Sequence, residues 1–396
     1  MSGRAVLVVA PEPLFEDRGT PIAVRHVVEG MIRLGFVVDV LTYPVGPSGE
    51  IPGVRVIRAA NPCRLRHVPI GLSFRKVVLD LSLVAALRRL LQSGTYACVH
   101  AVEEAAFPAA LLGPRYGVRV VYDMHSRLRD EMARSFAVFR WAPVGAALRQ
   151  LERWLLRRVD LVTCSAGLAA GVRAAAPTAR VREWMFPGSP PVQRRDSATL
   201  RDGLGIPADA RLVVYCGTFA PYQGLQTLLD AVPQVRRRVP NTVFLLVGAD
   251  SASNGSVRPG AALTATGAVR VIERQPRERA LQLLAAADVL VSPRDAGDNV
   301  PLKIFDYLAA GRPIVATDIP AHRTILGDDL ALLVPGSGAG LAKGITALLE
   351  SPDRSGHFAA AARAYADRQL GGGRFVECLK ACYDEVLDGA SRHGER

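Results

Sequence analysis

The chain has 396 residues, of which 49% are hydrophobic, and it carries a formal net charge of +12. This length is sufficient for two domains, each with its own hydrophobic core. No apolar run approaches the roughly 20 residues that span a bilayer. The run at residues 6–10 is too short for the apolar region of a signal peptide, so we expect neither a membrane span nor a secretory leader.

The positive charge is concentrated in the first half of the chain. Residues 1–186 contain 25 basic and 15 acidic side chains, whereas residues 187–396 contain 24 and 22. The basic residues are not interleaved with aromatic residues and do not fall on a nucleic-acid-binding motif. An anionic membrane surface is therefore the better candidate partner for this charge, and nucleic acid is not expected.

The first half alternates between strand and helix patterns. The first helix is predicted at residues 21–34, with Thr20 as its N-cap, Pro21 in its first turn and Gly35 after its end. Strands are predicted at residues 6–10, 36–41, 54–58, 96–101, 118–122 and 160–165, with further helices at 73–92 and 144–158. This alternation is typical of a parallel, doubly wound sheet.

A second alternating series follows a segment rich in Pro, Ser and Gly. We expect domain one at residues 1–186, a linker at 187–207, domain two at 208–373 and a last helical segment at 374–396. Strands of the second series are predicted at 212–216, 242–247, 268–272, 288–291, 313–316 and 331–334.

The six cysteines are scattered along the chain. Cys378 and Cys382 share a helix face, which is compatible with a metal site, but no His or second Cys pair accompanies them. We interpret them as thiols on a core face, and a reducing cytoplasm as the compartment.

Residues 292–318, SPRDAGDNVPLKIFDYLAAGRPIVATD, are the most informative segment. An apolar strand ends at Ser292, a polar loop follows, Pro301 opens a helix that ends near Gly311, and a buried strand comes next. The loop therefore lies at the carboxyl end of a strand, where open α/β sheets bind ligands. We expect the amides just after Pro301 to be available to an anion.

This segment resembles the donor-binding motif of family 4 glycosyltransferases. Asp298 and Asp306 stand eight residues apart, at the motif's two acidic positions, and P-L-K, L-A-A-G and P-I-V-A-T-D follow in order. The resemblance implies the GT-B fold, with two Rossmann-like doubly wound domains facing a central cleft. It also implies that the last helix, residues 374–387, packs back on the first domain.

The loop at residues 217–224 follows the first strand of the second domain and opens a helix, which suits it to bind an anion. In the family this loop, with Gly217 at its start, supplies an Arg and a Lys to the donor diphosphate. Here Thr218 and Gln223 occupy those places. Lys303, one of only four lysines among 49 basic residues, is our candidate to replace the missing cations.

Further donor contacts are expected in the motif itself. Its two acidic positions imply that Asp306 accepts hydrogen bonds from the ribose and that Asp298 contacts a hydroxyl of the donor sugar. Arg294, Asn299 and Leu302 are the remaining predicted donor-binding residues.

Two places in the first domain resemble functional positions of the family, and a third candidate follows a strand end. The turn that contains Gly19 and Thr20 is implied to face the donor diphosphate and the acceptor. His125, at the end of an apolar strand, resembles the histidine placed near the transferred sugar. Glu103 and Glu104 also follow a strand end, and we expect them on the acceptor side.

The resemblance implies a retaining, metal-independent hexosyltransferase that uses a nucleoside diphosphate sugar and no cofactor. The acceptor is expected to be a glycan, a glycolipid or a small molecule. The sequence contains no Asp-x-Asp triplet, no G-x-G-x-x-G after the first strand and no nucleophile elbow. Two alternatives stay open: another GT-B enzyme, such as an epimerase or hydrolase, and a non-catalytic binding subunit favoured by the lost loop cations.

A basic stripe lies on the helix predicted at residues 144–158. Arg149, Arg153 and Arg157 recur every four residues and therefore share one face. We expect this face to point outward, towards an anionic membrane or towards solvent. The side chains expected on the core-facing side are Val144, Leu148, Leu151 and Leu155.

Overall fold

The structure is a computed structural model that describes residues 3–17, 19–66, 68, 74–128, 132, 141–187, 197–249, 260–296 and 300–388. It divides into two compact units. Unit 1 comprises Met1–Phe186 with Gly373–Arg396, and unit 2 comprises Pro187–Gly372. Each unit is built on one parallel sheet, which confirms the predicted pair of doubly wound domains.

The sheet of unit 1 has seven parallel strands in the order β3-β2-β1-β4-β5-β6-β7. The strands are β1 (Ala5–Ala10), β2 (Val37–Thr42), β3 (Val54–Arg58), β4 (Tyr96–Val102), β5 (Arg119–Met124), β6 (Leu161–Cys164) and β7 (Val181–Glu183). Only the three-residue edge strand β7 lacked a sequence signal. The strand order reverses direction between β1 and β4, so the carboxyl ends of these strands form the topological switch point.

Helices cover both faces of this sheet: α1 (Gly19–Arg33), α2 (Phe74–Gln92), α3 (Ala106–Leu112), α4 (Ala142–Leu156) and α5 (Ala166–Ala175). The sequence of strand β1 is uniformly apolar because both faces of the strand are buried. Leu7 and Val9 pack into the core on one face, and Val6 and Val8 pack into the core on the other. A strand buried on both faces reads as a continuous hydrophobic run.

The sheet of unit 2 has six parallel strands in the order β10-β9-β8-β11-β12-β13. They are β8 (Arg211–Cys216), β9 (Thr242–Ala249), β10 (Val269–Glu273), β11 (Val289–Ser292), β12 (Ile314–Thr317) and β13 (Leu332–Val334). The order reverses between β8 and β11, which pair directly with each other. The switch point of unit 2 is therefore formed by the loops that follow these two strands.

The helices of unit 2 are α6 (Ser197–Gly203), α7 (Leu225–Arg238), α8 (Ala261–Ala265), α9 (Arg277–Ala285), α10 (Lys303–Ala310), α11 (Pro320–Arg323), α12 (Gly338–Glu350) and α13 (Pro352–Gln369). Helix α6 lies inside the segment predicted to be an aperiodic linker. It forms because Leu200 is buried and Arg201 donates to the carbonyl of Ala210 and to Asp288.

The last helix, α14 (Gly372–Leu387), belongs to unit 1 and packs in its core. Gly30 of α1 makes this packing possible, because a Cβ there would lie 2.7 Å from Cδ2 of Leu379. Cys382 is buried, as expected of a core thiol, whereas Cys378 is only half-buried. No helix of the described part of the chain is long and apolar enough to cross a membrane.

Helix α4 is rotated relative to the predicted orientation. Its buried residues are Gly145, Glu152, Leu155 and Leu156, whereas Leu151 is 44% exposed. The buried Glu152 explains the difference, because its carboxylate accepts a hydrogen bond from the backbone N–H of Leu128. The prediction that Leu151 faces the core was therefore wrong, although Arg149 and Arg157 are exposed and Arg153 is half-buried.

Candidate functional site

Two loops meet at the switch point of unit 2. The loop after β8 makes a single helical turn at Pro221–Gln223 before α7, and the loop after β11 leads into α10. Gly224 has φ +69°, and a Cβ at this residue would collide with the carbonyl oxygen of Pro293. Glycine is therefore required for the two loops to approach each other this closely.

Lys303 brings an ammonium group to the loop after β8. Its Nζ donates to Oε1 of Gln223 at 2.9 Å and lies 4.1 Å from the centre of the Tyr215 ring. Gly217 leaves room for it, since a Cβ at residue 217 would be 2.8 Å from Nζ. The structure thus places Lys303 against the residue that stands where the family has a cation.

The environment of Lys303 disfavours its charge. Burial lowers the pKa of this ammonium to about 7, Cys216 opposes the shift, and the nearby Arg294 guanidinium lowers the pKa further. The contacts described above, with Gln223 and Tyr215, are to uncharged groups. An incoming anion would relieve this unfavourable environment, because an opposite charge stabilises the ammonium form.

The first turn of α10 differs from the predicted one. The helix begins at Lys303, two residues after Pro301, and Leu302 before it has helical backbone angles. The amides of Ile304 and Phe305 donate to the carbonyls of Pro301 and Leu302. The turn itself therefore uses the amides of Ile304 and Phe305, and the expectation that the amides just after Pro301 meet an anion stays a prediction for Leu302 and Lys303.

Asp306 lies one turn into α10, as expected, and forms an ion pair that the sequence did not predict. Its Oδ1 accepts a hydrogen bond from Nη2 of Arg277, the first residue of α9, at 2.9 Å. The residues around Arg277 in the sequence do not predict this ion pair, because α9 and α10 become neighbours only when unit 2 folds. The pair orients the carboxylate that the motif assigns to the ribose.

The loop after β11 is held by buried polar groups at its start. Nδ1 of His322 lies 2.7 Å from the carbonyl of Thr317, and Nε2 lies 2.9 Å from Oγ of Ser292. Thr317 in turn donates to the carbonyl of Arg294. Burial lowers the pKa of His322 to about 4, so this imidazole is neutral and acts as a structural link between the ends of β11 and β12.

Two further predicted donor residues, Arg294 and Thr218, lie on the two loops of this switch point. The Arg294 guanidinium stacks on the Tyr222 ring, with 5.5 Å between the guanidinium carbon and the ring centre, and donates to the carbonyl of Ala296. Thr218 is exposed, and its carbonyl accepts from Tyr215 at 2.6 Å. Asp298 and Asn299 lie outside the described residues.

Tyr307 is a buried polar residue of the site that the sequence pattern did not indicate. Its hydroxyl oxygen accepts from the amide of Cys216 at 3.0 Å and lies 3.3 Å from the carbonyl of Val291. This one buried side chain therefore ties the end of β8 to the end of β11. Its position on the buried face of α10 gave no indication of a polar role.

In unit 1, helix α1 begins at Gly19, which places Thr20 inside the first turn rather than at the predicted N-cap. A Cβ on Gly19 would meet nothing within 4 Å. The packing of the described residues therefore leaves open space at this position, beside the switch point of the unit 1 sheet.

Glu103 and Glu104 form the turn that follows β4. Glu103 has φ +49°, an uncommon backbone conformation for a residue other than glycine that concentrates at functional sites. Its carboxylate accepts from Oγ of Ser126 at 3.1 Å, which links this turn to the end of β5. Glu104 is paired with Lys76 at 2.6 Å.

His125 follows β5 and lies close to Asp123. Its Nε2 is 2.9 Å from Oδ2 of this fully buried carboxylate. Burial alone would lower the pKa of His125, but Asp123 outweighs it and raises the pKa to about 9. Asp123 was not singled out from the sequence, although the two-residue spacing along a strand puts both side chains on one face.

Comparisons with known proteins agree with this architecture. Residues 18–187 match the family model described as glycosyl transferase 4-like domain, and residues 210–351 match the model described as glycosyl transferases group 1. The chain therefore belongs to the group 1 glycosyl transferases.

Two curated relatives illustrate the range of the family. The phosphatidyl-myo-inositol mannosyltransferase of Mycobacterium tuberculosis is 32% identical over 157 residues, which are 37% of this chain and 40% of the relative. The chain thus spans about two fifths of the mannosyltransferases it matches. The glycogen synthase of the same species is 27% identical over 373 residues, 86% of this chain and 84% of the relative.

Solved structures share the fold over nearly the whole chain. Sucrose-phosphate synthase from Thermosynechococcus elongatus has a TM-score of 0.80 at 20% identity, covering 98% of this chain and 100% of its own. HepE of Anabaena in complex with UDP-glucose has a TM-score of 0.75 at 19% identity, covering 96% and 100%. These similarities establish the GT-B fold.

Proposed function

We propose that this protein transfers a hexosyl unit from a nucleoside diphosphate sugar to a hydroxyl of a glycan or glycolipid acceptor. The observation that carries the proposal is the position of Lys303 beside Gln223 at the switch point of unit 2. Open α/β sheets bind ligands at this point. The UDP-glucose complex of HepE supports a nucleotide sugar as the donor.

Each part of such a donor has a proposed partner. The Lys303 ammonium binds the diphosphate and stabilises the charge that develops on it as the glycosidic bond breaks. Asp306, oriented by Arg277, accepts hydrogen bonds from the ribose hydroxyls. Asp298 contacts a hydroxyl of the sugar. Arg294 and the loop that begins at Gly217 line the donor site.

We further propose that transfer proceeds with retention and without a metal ion. In this mechanism the departing diphosphate oxygen takes the proton of the acceptor hydroxyl on the same face of the sugar. The protein then contributes by positioning both substrates and by stabilising the leaving group. Lys303 supplies the positive charge, and His125 contacts the transferred sugar.

The acceptor is proposed to be part of a lipid or surface glycan, reached at the cytoplasmic face of a membrane. A lipid-linked acceptor is in keeping with the name of the mycobacterial mannosyltransferase. In unit 1, helices α2, α3 and α4 pack on the same face of the sheet. Their outer surface carries apolar side chains that are 43–66% exposed: Val77, Leu81, Leu111, Trp141 and Leu151.

Charge favours an anionic membrane as the occupant of this surface. Arg149 on helix α4 and Arg157 just after it are exposed, and residues 1–186 carry ten more basic than acidic side chains. Each basic residue near an anionic leaflet contributes about 1 kcal/mol. Helices that lie in a membrane interface typically have apolar side chains on one face and arginines on the polar face.

A ligand panel tests the proposed donor. UDP-, GDP- and dTDP-sugars are added to the purified protein while thermal unfolding and slow release of nucleoside diphosphate are followed. Ligand at 100 times its Kd stabilises a protein by about 2.7 kcal/mol. Stabilisation and release by one class of donor support the proposal, and absence of both for every donor contradicts it.

A non-catalytic binding subunit is the alternative that the lost loop cations favour. Lys303 weighs against it, because this chain has kept an ammonium at the same loop. The panel separates the two functions. A binding subunit would be stabilised by a nucleotide sugar without releasing nucleoside diphosphate, either slowly to water or quickly to an acceptor.

A further inference from the structure

A second polar cluster lies in unit 1 behind His125. Asp123 is fully buried, and its Oδ1 accepts from Oγ1 of Thr163 at 3.2 Å. Its Oδ2 lies 2.9 Å from Nε2 of His125 and 3.4 Å from Nε2 of His100, which is also fully buried. One carboxylate oxygen therefore faces two imidazoles, that of His125 within hydrogen-bond distance and that of His100 in a longer contact.

The geometry indicates which nitrogens carry protons. An ionised carboxylate can only accept hydrogen bonds, so the favourable arrangement has Nε2–H of His125 donating to Asp123 and a proton on the Nε2 of His100 that faces it at 3.4 Å. With its proton on Nε2, the His100 ring has Nδ1 as an acceptor, and the hydroxyl of Tyr383 lies 3.0 Å from this nitrogen. The other partner near this hydroxyl, the sulfur of Met31, is 3.9 Å away and is a weak acceptor.

The C-terminal helix encloses this cluster. Tyr383 is on α14, and so is Phe375, whose ring lies 5.9 Å from that of Trp184 and 5.8 Å from that of Phe186. These two rings lie in turn 5.8 Å from His100 and 5.7 Å from His125. The helix that ends the chain thus supplies both the last hydrogen bond of the cluster and part of its aromatic wall.

We propose that Tyr383, His100 and Asp123 form a positioning chain that fixes the ring orientation and the protonated state of His125. The proposal rests on the role of His125 proposed above. It makes α14 part of the machinery for glycosyl transfer, although none of the three residues needs to contact a substrate. Tyr383 selects the tautomer of His100, and His100 and Asp123 together hold the imidazole of His125.

The charges that face His125 agree with this arrangement. Burial opposes the imidazolium form, but Asp123 on β5, Glu103 in the turn after β4 and Glu12 in the loop after β1 all favour it and raise the pKa to about 9. At neutral pH His125 is therefore a cation with hydrogen-bond donors only. It is suited to donate to an oxygen of the ligand rather than to remove a proton from the acceptor.

Histidine NMR on the full-length protein tests the positioning chain directly. Nitrogen-15 spectra report the tautomer of each imidazole, and a pH titration reports the midpoint of His125. We expect the Nε2–H tautomer for His100 and a His125 midpoint near 9 in the wild type. Asp123→Asn should bring the His125 midpoint to about 6.5 or below, the unperturbed value.

Tyr383→Phe is the decisive variant, because it removes only a hydroxyl. It should release His100 from a single tautomer, change the midpoint of His125 and shift the pH profile of donor turnover in the same direction. Tyr116→Phe, the same change at a half-buried tyrosine of unit 1 with no role here, should leave all three unchanged. If Tyr383→Phe unfolds, Asp123→Asn and Asp123→Glu are measured instead. Only Asp123→Glu should keep a raised midpoint for His125.

Two results would overturn the proposal: a wild-type His125 midpoint near 6.5, or the wild-type tautomer and midpoint retained in folded Tyr383→Phe. The NMR measurements need no donor, so they are independent of the proposed activity. If the titrations agree and no nucleotide sugar binds, the proposed function fails and the positioning chain stands.

Discussion

The ammonium of Lys303 donates a 2.9 Å hydrogen bond to the amide oxygen of Gln223, across the gap between the two loops of the unit 2 switch point. These residues are 80 positions apart in sequence. The family resemblance implies two cations in the loop that contains Gln223, and the helix that starts at Lys303 brings an ammonium to this loop. We interpret this pair as a relocation of positive charge rather than as its loss.

Replacing Lys303 by alanine should weaken donor binding. A hydrogen bond to a charged group is worth about 1.5–3 kcal/mol, which corresponds to roughly 10- to 150-fold in Kd. Calorimetric titration with a nucleotide sugar measures the change. Lys343→Ala, at an exposed lysine of α12, is the matched control and should bind like the wild type.

Donor binding should weaken as the pH rises. The pKa of Lys303 is lowered to about 7 in the free protein, so its ammonium is present below pH 7 and is lost above it. Binding of a diphosphate restores the ammonium and takes up a proton. Between pH 7.5 and 8.5 the apparent Kd should rise by up to about tenfold per unit, the limit for one proton.

Proton uptake can be measured separately by calorimetry in buffers that differ in ionisation enthalpy. The wild type should take up close to one proton at pH 8 and Lys303→Ala none. A pH-independent Kd in the wild type would show that Lys303 is already charged or does not contact the donor. A nucleotide sugar is the proper ligand, because its diphosphate has no terminal phosphate that titrates in this range.

The two acidic positions of the motif should respond differently to amidation. Asp306→Asn should weaken binding of the free nucleoside diphosphate, since it removes an acceptor for the ribose and breaks the pair with Arg277. Asp298→Asn should leave nucleotide binding unchanged and reduce sugar transfer. Equal effects of both changes on the Kd of the nucleotide would show that these roles are misassigned.

Vesicle co-sedimentation tests the membrane surface of unit 1. Binding should require anionic lipid and should fade as salt reaches several hundred millimolar, because screening shortens the range of the attraction. The triple variant of Arg149, Arg153 and Arg157 to Gln should lose up to about 3 kcal/mol. The same change at Arg236, Arg237 and Arg238 of unit 2 is the control.

A test variant and a matched control variant examine the apolar part of this surface. Val77 on α2 and Val37 on β2 are 43% and 55% exposed, so replacing either with Ser should cost little stability. Only Val77→Ser is expected to reduce vesicle binding. Failure of the wild type to bind anionic vesicles at low salt would rule out peripheral attachment through this surface.

The sequence predicted the sheets well, because buried parallel strands are continuous apolar runs and each candidate site lies just after one. It also placed Lys303 and Asp306 on the first turn of a helix. It did not predict Arg277 against Asp306 or Tyr383 against His100, since these contacts join elements distant in sequence. The orientation of helix α4 was predicted wrongly for a related reason. The apolar pattern put Leu151 on the buried face, whereas Glu152 is buried there and accepts a hydrogen bond from the backbone of Leu128.

The most direct test of the relocated charge is a double-mutant cycle on donor binding. Lys303→Ala should lose affinity, and adding Gln223→Lys to that variant should restore much of it, because the new ammonium would lie on the loop where the family has its own. Rescue of this kind would confirm that one cation at this loop binds the diphosphate. Wild-type affinity in Lys303→Ala alone, measured with a nucleotide sugar that the wild type binds, would contradict it.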